Sequence, residues 1–340
     1  MSLNKTALPP AKPPTRRAAR GPFRPKGWLL AAIVSLTCLS AASDPLVIEG
    51  RDGWLFPVWE SLVDANTPRI ASTLEDIAFL QQQLAARQIT LMAMVIPMKA
   101  AFYPERVPPA QPVSAEVSRR YASVLAGLAA AAVPTFDNLR VLRSLEQAGT
   151  GAFFRTDYHW TAQGAEASAD AAAEMVRAKV SLSPSASGGS KLGEWVNVRR
   201  YGDLATRFMT AEQRVALGRD VFTVRAPPKE KPSLLDDEPA DVHVVGNSFV
   251  QPYLGFPQKL SQVLGRPVSL TWNPGNIGPW VSMLNYLESD TYRQHKPRVI
   301  LWQLNEPRMH SGPQAAGDWD AESIMSSDAW RKRASAAINR

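Results

Sequence analysis

Three short, almost uninterrupted apolar runs limit what this chain can become: Ile89-Thr90-Leu91-Met92-Ala93-Met94-Val95-Ile96, Val242-His243-Val244-Val245 and Val299-Ile300-Leu301-Trp302. Each is too short for an ordinary core helix and lacks the in-and-out alternation of a half-solvated strand. Each therefore reads as a strand covered on both faces. Segments with apolar positions at helical spacing stand around them, at 71–87, 114–132 and 161–180. Such alternation predicts an α/β fold with a largely parallel central sheet flanked by helices.

Ahead of this pattern, Leu46 to Gly50 and Trp54 to Phe56 flank a Gly50-Arg51-Asp52-Gly53 turn, the signature of a hairpin. Residues 181–240 switch to Ser, Gly, Pro and charge, a composition suited to an insertion of loops outside the sheet. The expected organisation is one α/β domain over 44–312 with an insertion at about 181–240, followed by a polar, helical C-terminal extension at 313–340.

The formal charge of +7 suggests nucleic acid until it is located. Seven Lys or Arg and no acid fall in residues 1–43, and removing them leaves 31 basic residues against 31 acidic ones. The body is neutral and offers no footprint for DNA or RNA. Residues 1–26, rich in Pro, Ala and Arg, read as a disordered cytoplasmic tail. Gly27 to Ser43 is uncharged and mostly apolar, at the lower length limit for a bilayer span. Basic residues before it and none directly after place the body outside the cytoplasm, in the periplasm. An uncleaved inner-membrane anchor and a cleaved signal segment ending near Ser40-Ala41-Ala42 are the two readings. The single cysteine, Cys38, lies inside this segment, so the body has no internal disulfide.

Ser248 follows the run at 242–245 through Gly246-Asn247, which places its hydroxyl at the carboxyl end of a buried strand, where open α/β sheets bind ligands. It serves there either as a nucleophile or as a helix cap. A serine nucleophile needs a base. Of four histidines, His243 lies within a strand, and His295 and His310 lie in polar surroundings. His159 stands two residues after Asp157, just before a helix, so that the carboxylate is able to orient the ring. The alternative for this pair is a capping aspartate beside a half-buried histidine. With no cysteine in the body and scattered histidines, no zinc-type ligand set assembles. No phosphate-binding glycine motif is present either, so no metal or cofactor is expected.

Taken together, several stretches resemble the SGNH-hydrolase-like domain of the alginate-type polysaccharide O-acetyltransferases. Gly50 to Phe56 is similar to that family's opening hairpin, and Val95 to Lys99 with Tyr103 to its first interior strand and lysine. Thr156-Asp157-Tyr158-His159-Trp160-Thr161 resembles its aspartate-x-histidine-tryptophan motif, and Gly246-Asn247-Ser248-Phe249 its nucleophile turn. Asn273 to Gly278 and Trp302 to Arg308 resemble its later asparagine/glycine loop and closing strand. The matches run in family order over about residues 46–310, with the Asp-His pair preceding the serine. Asn247 departs from the small or acidic residue often found there, and no separate carbohydrate-binding domain follows residue 312.

The resemblance implies an SGNH-hydrolase-like fold with Ser248 as nucleophile, His159 as general base and acid, and Asp157 as its orienter. Beside the N–H of Ser248, Asn273 or Asn276 either adds a side-chain donor for the oxyanion or serves only as a turn-forming asparagine, and Arg308 is an expected substrate contact. It further implies a periplasmic O-acetyltransferase with a polysaccharide acceptor and a membrane-bound O-acyltransferase as acetyl supplier. A polysaccharide acetylesterase and a non-catalytic polysaccharide-binding or assembly protein are the alternatives.

Overall fold

A computed structural model describes residues 46–228 and 238–340; the tail at 1–26 and the apolar segment at 27–43 lie outside the described residues. Strands β1 (Val47–Glu49) and β2 (Leu55–Pro57) pair antiparallel as the expected hairpin. The central sheet holds β3 (Thr90–Ile96), β6 (Val242–Gly246), β7 (Val268–Trp272) and β8 (Val299–Asn305), all parallel, in the order β3-β8-β6-β7. Between β3 and β6 in sequence, β4 (Trp195–Arg200) and β5 (Asp220–Arg225) form a separate antiparallel pair.

Period-two geometry explains the continuous apolar runs, because each strand feeds two cores. Leu91, Ala93, Val95, Ile300, Trp302 and Leu304 face one side, against helices Thr67–Ala85, Ala115–Ala130 and Gly278–Leu287. Met92, Met94, Ile96, Val244 and Leu301 face the other, against helices Ala162–Lys179 and Phe256–Leu264. Helix Ala162–Lys179 meets the sheet through Ala165, Ala169, Ala172 and Ala173, and such small side chains permit close approach.

Two regions differ from a bare core with appendages. Residues 313–340 are not a peripheral extension: helix Ser327–Ile338 buries Trp330, Ala334, Ala337 and Ile338 in the first core. The Trp330 indole N–H donates to the Trp280 carbonyl at 3.0 Å. These apolar positions keep helical spacing but are diluted by Asp, Arg and Lys, which hides them in a composition reading. The 181–240 stretch, besides loops, builds the β4–β5 pair and a helix, Asp203–Phe208, that reaches the carboxyl edge of the sheet.

Candidate active site

The turn after β6 is built from side chains on its neighbour β8. Gln303 Oε1 accepts from the Asn247 N–H at 2.9 Å, and Asn247 Oδ1 accepts from the Phe249 N–H at 3.0 Å. Asn247, not Ser248, therefore caps the short 3-10 turn Ser248–Val250, and the serine hydroxyl is left for other contacts. A Cβ on Gly246 would lie 2.7 Å from both Gln303 Oε1 and Val250 Cγ2. Glycine is required here by close approach rather than by an unusual backbone angle.

His159 sits near the tip of a loop closed by the Phe153–Trp160 bridge and by the Thr161 N–H donating to the Ala152 carbonyl at 2.9 Å. Thr161 then caps helix Ala162–Lys179 by accepting from the Gly164 N–H. Next to the histidine, the buried Trp160 donates its indole N–H to the Phe249 carbonyl at 2.9 Å, which ties the histidine loop to the serine turn. The structure brings the three sequence-predicted residues into a line. His159 Nε2 lies 2.8 Å from Ser248 Oγ, and His159 Nδ1 lies 2.7 Å from Asp157 Oδ1.

Asp157 is held from several directions. Its Oδ1 also accepts from the His159 N–H at 3.0 Å, and its Oδ2 accepts from the Asp203 N–H at 2.9 Å. Burial pushes its carboxyl up, but these bonds and the imidazole outweigh burial and hold it well below the usual carboxylate range. An ionised Asp157 favours the Nδ1–H tautomer, leaving Nε2 to accept a proton from the serine. Ligand-type atoms of Asp157, His159 and Asp203 lie within 4.8 Å of one another. The 2.7 Å contact at Nδ1 is nevertheless a hydrogen bond to a carboxylate, and a proton on Nδ1 satisfies both partners.

Two buried ionisable groups support the loop. Lys99, just after β3, donates to the carbonyls of Leu55, Arg155 and Asp157 at 2.8, 3.0 and 2.9 Å. Burial pushes it down to about 7 against the pull of Asp157 and neighbouring carboxylates, yet three acceptors suit the three protons of an ammonium. Glu60 accepts from the Tyr158 hydroxyl at 2.5 Å, and burial pushes its carboxyl up to about 7. Tyr158 in turn accepts from Asn305 on β8 at 3.1 Å.

Ser248 opens into a cleft of about 820 Å³ whose walls include Trp59, Tyr253, Trp272 and Trp319. Asn276 and Arg308 lie on that wall, but both are engaged, Asn276 donating to Asp320 and Arg308 pairing with Asp318. Asn273 takes the turn-forming alternative rather than that of a cleft donor. Its side-chain amide donates to Ser282 Oγ at 3.1 Å and its N–H to the Gly246 carbonyl at 3.2 Å, so it fastens the turn after β7 instead. The sequence does not single out Asp203, and it places Trp160 and Gln303 in recognisable stretches without giving them a role. Gly202-Asp203 at a helix start inside the insertion is the available signal for the first.

Comparison with known proteins gives the family of this fold. The family model described as "SGNH hydrolase-like domain, acetyltransferase AlgX" matches residues 47–306. The probable alginate O-acetylase AlgJ of Pseudomonas fluorescens is 29% identical over 279 residues, covering 77% of this chain and 68% of that protein. The AlgJ protein of Pseudomonas aeruginosa is 26% identical over 309 residues, covering 82% and 75%. Among solved structures, the O-acetyltransferase domain of Pseudomonas putida AlgJ superposes with a TM-score of 0.70 at 25% identity, covering 86% of this chain and 99% of that one. Pseudomonas aeruginosa AlgX shares the fold with a TM-score of 0.63 at 17% identity, covering 86% and 67%. With its SGNH hydrolase-like sheet and a family match over most of its length, this chain belongs to the AlgX family of SGNH hydrolase-like acetyltransferases.

Proposed function

We propose that the chain transfers acetyl groups onto hydroxyls of an exported, alginate-type polysaccharide, with Ser248, His159 and Asp157 as its catalytic residues. The observation that carries this reading is the pair of contacts on one imidazole, 2.8 Å to Ser248 Oγ and 2.7 Å to Asp157 Oδ1. In the first half-reaction Ser248 Oγ bonds to the acetyl carbon while its proton moves to His159 Nε2. The donor's leaving group departs with that proton. In the second half-reaction a sugar hydroxyl gives its proton to His159 and attacks the acetyl carbon, and Ser248 Oγ leaves and is reprotonated. The Ser248 N–H, at the start of the 3-10 turn, is the donor proposed for the developing oxyanion.

Asn276 and Arg308 on the cleft wall are the proposed acceptor contacts. The acceptor polymer, acetyl delivery by a membrane-bound O-acyltransferase, and a periplasmic body tethered through residues 27–43 are parts of the same proposal. The test uses an activated aryl acetate, with and without polyuronate oligosaccharides, and a mass-spectrometric search for acetyl on Ser248. The wild type forms acetyl-Ser248 and acetylated oligosaccharide, and Ser248→Ala forms neither. Equal turnover by the wild type and a folded Ser248→Ala protein overturns the reading. Ester cleavage that never passes to any sugar favours an esterase.

A further inference from the structure

The imidazole at the centre of this site faces two carboxylates rather than one, and the second comes from the insertion outside the central sheet. Asp203 begins the helix Asp203–Phe208 between β4 and β5. Its Oδ2 lies 3.6 Å from His159 Nδ1, on the same ring nitrogen that Asp157 engages. Its other oxygen accepts from the Tyr158 N–H at 2.7 Å, one residue from the histidine, and its own N–H donates to Asp157 Oδ2. Asp203 thus touches all three residues of the Asp157-Tyr158-His159 segment. Its side chain is 27% exposed, against 5% for Asp157, so it stands where the cleft meets solvent.

We propose that Asp203 is a positioning residue that acts through His159, fixing the backbone of the histidine loop and placing a second anion beside the imidazolium formed during acetyl transfer. The inference rests on the functional reading above. The Asp157 bond orients the ring, whereas 3.6 Å is too long for a strong hydrogen bond and leaves mainly charge. A carboxylate at that distance favours the protonated ring. The charged and titratable groups facing Asp203 are Asp157 and His159 across the contact, Tyr158 in the same loop and the buried Lys99 behind it, with Arg207 on its own helix beside the cleft. Burial, with the Asp157 charge added, pushes Asp203 up to about 6, so its ionisation falls in the range where imidazoles also titrate.

Asp203→Asn separates charge from scaffold, because an amide oxygen still accepts from the Tyr158 N–H and the backbone donor to Asp157 is untouched. The primary readout is the ring titration of His159, followed by NMR of labelled imidazole nitrogens and independent of any substrate. The expected result is a midpoint about one unit lower in Asp203→Asn than in the wild type. The acid limb of kcat/KM for an aryl acetate moves the same way. A second measurement needs only the wild type, whose His159 resonances show an additional inflection from Asp203. Coincident titrations of variant and wild type, or a single inflection in the wild type if the variant does not fold, overturn the inference. If the ring shifts as expected while Ser248→Ala keeps full turnover, the functional reading fails and the Asp203–His159 coupling stands.

Discussion

The Lys99 ammonium donates to the Asp157 carbonyl at 2.9 Å, so the residue that follows the first central strand grips the backbone of the acid that orients the histidine. The same nitrogen holds Leu55 of the hairpin and Arg155 of the loop, which makes one side chain the junction of three segments. Lys99→Met fills most of the volume but takes the donor from the carbonyls of Leu55 and Asp157, while that of Arg155 keeps the Leu55 N–H at 3.0 Å; the cost is about 1–3 kcal/mol for each acceptor left buried and unsatisfied. The expected outcome in urea unfolding is a loss of about 2 kcal/mol or more, with turnover falling further than the folded fraction. A Lys99→Met protein as stable as the wild type would refute this role.

Glu60 gives the fold a pH dependence of definite sign. Its carboxyl is pushed up from 4.5 to about 7, chiefly by burial, against the opposing hydrogen bond from Tyr158. A carboxyl whose folded-state value is raised binds protons more tightly in the native state. Its contribution to stability is therefore full below about 4.5 and is lost as pH rises through about 7. Glu60→Gln cannot ionise, so the variant gains on the wild type by about 3 kcal/mol over that window. Unfolding curves measured from pH 4.5 to 8 check this, and parallel stability profiles for the two proteins contradict it.

How much of this was legible depended on whether a feature is local in sequence. The buried strands announced themselves because a strand covered on both faces must be apolar at every position, and Asp157 with His159 did so because two residues on a loop suffice to set their geometry. Ser248 was placed by its strand and glycine turn, although the sequence left open whether it capped the turn. Asn247 does so in the fold. Asp203 was not legible, since its meaning comes from 3.6 Å of space across a 44-residue separation from His159. The same holds for Gln303, whose amide shapes the turn before Ser248 from a different strand. Asn273 stays open in the sequence between a cleft donor and a turn former, because motif position does not specify which way an amide points; in the fold it fastens the turn.

Gly202 is where the insertion is pressed against the active-site loop. A Cβ there would lie 2.3 Å from the carbonyl carbon and oxygen of Thr156 and 2.5 Å from the Asp157 nitrogen. These are backbone atoms, so no side chain is available to swing aside. Gly202→Ala is expected to destabilise by about 1–3 kcal/mol and to displace Asp203 from His159. Denaturant unfolding reads the first effect and the His159 titration the second. Retention of wild-type values in both would show that the loop yields more easily than its contacts imply.

Trp160 gives the sharpest separation of geometry from stability. Its ring packs against Phe249 and Phe256 in the second core, while its single N–H reaches the Phe249 carbonyl and so links the residue after His159 to the residue after Ser248. Trp160→Phe keeps an aromatic ring in the core but removes the link and leaves a buried carbonyl without its donor, at about 1–3 kcal/mol. The larger effect belongs to catalysis. Proton transfer from Ser248 Oγ to His159 Nε2 works over the present 2.8 Å, and a displacement of about 1 Å between reacting groups lowers rates by about 100-fold. The expected result is a fall of about 10- to 100-fold in kcat for the acetyl-ester reaction, with KM nearly unchanged because the indole nitrogen faces the core rather than the cleft. Burst kinetics of acetyl-Ser248 formation locate the loss in the first half-reaction. If kcat is retained while only stability falls, the tryptophan is a core residue whose hydrogen bond does not set the distance between Ser248 and His159.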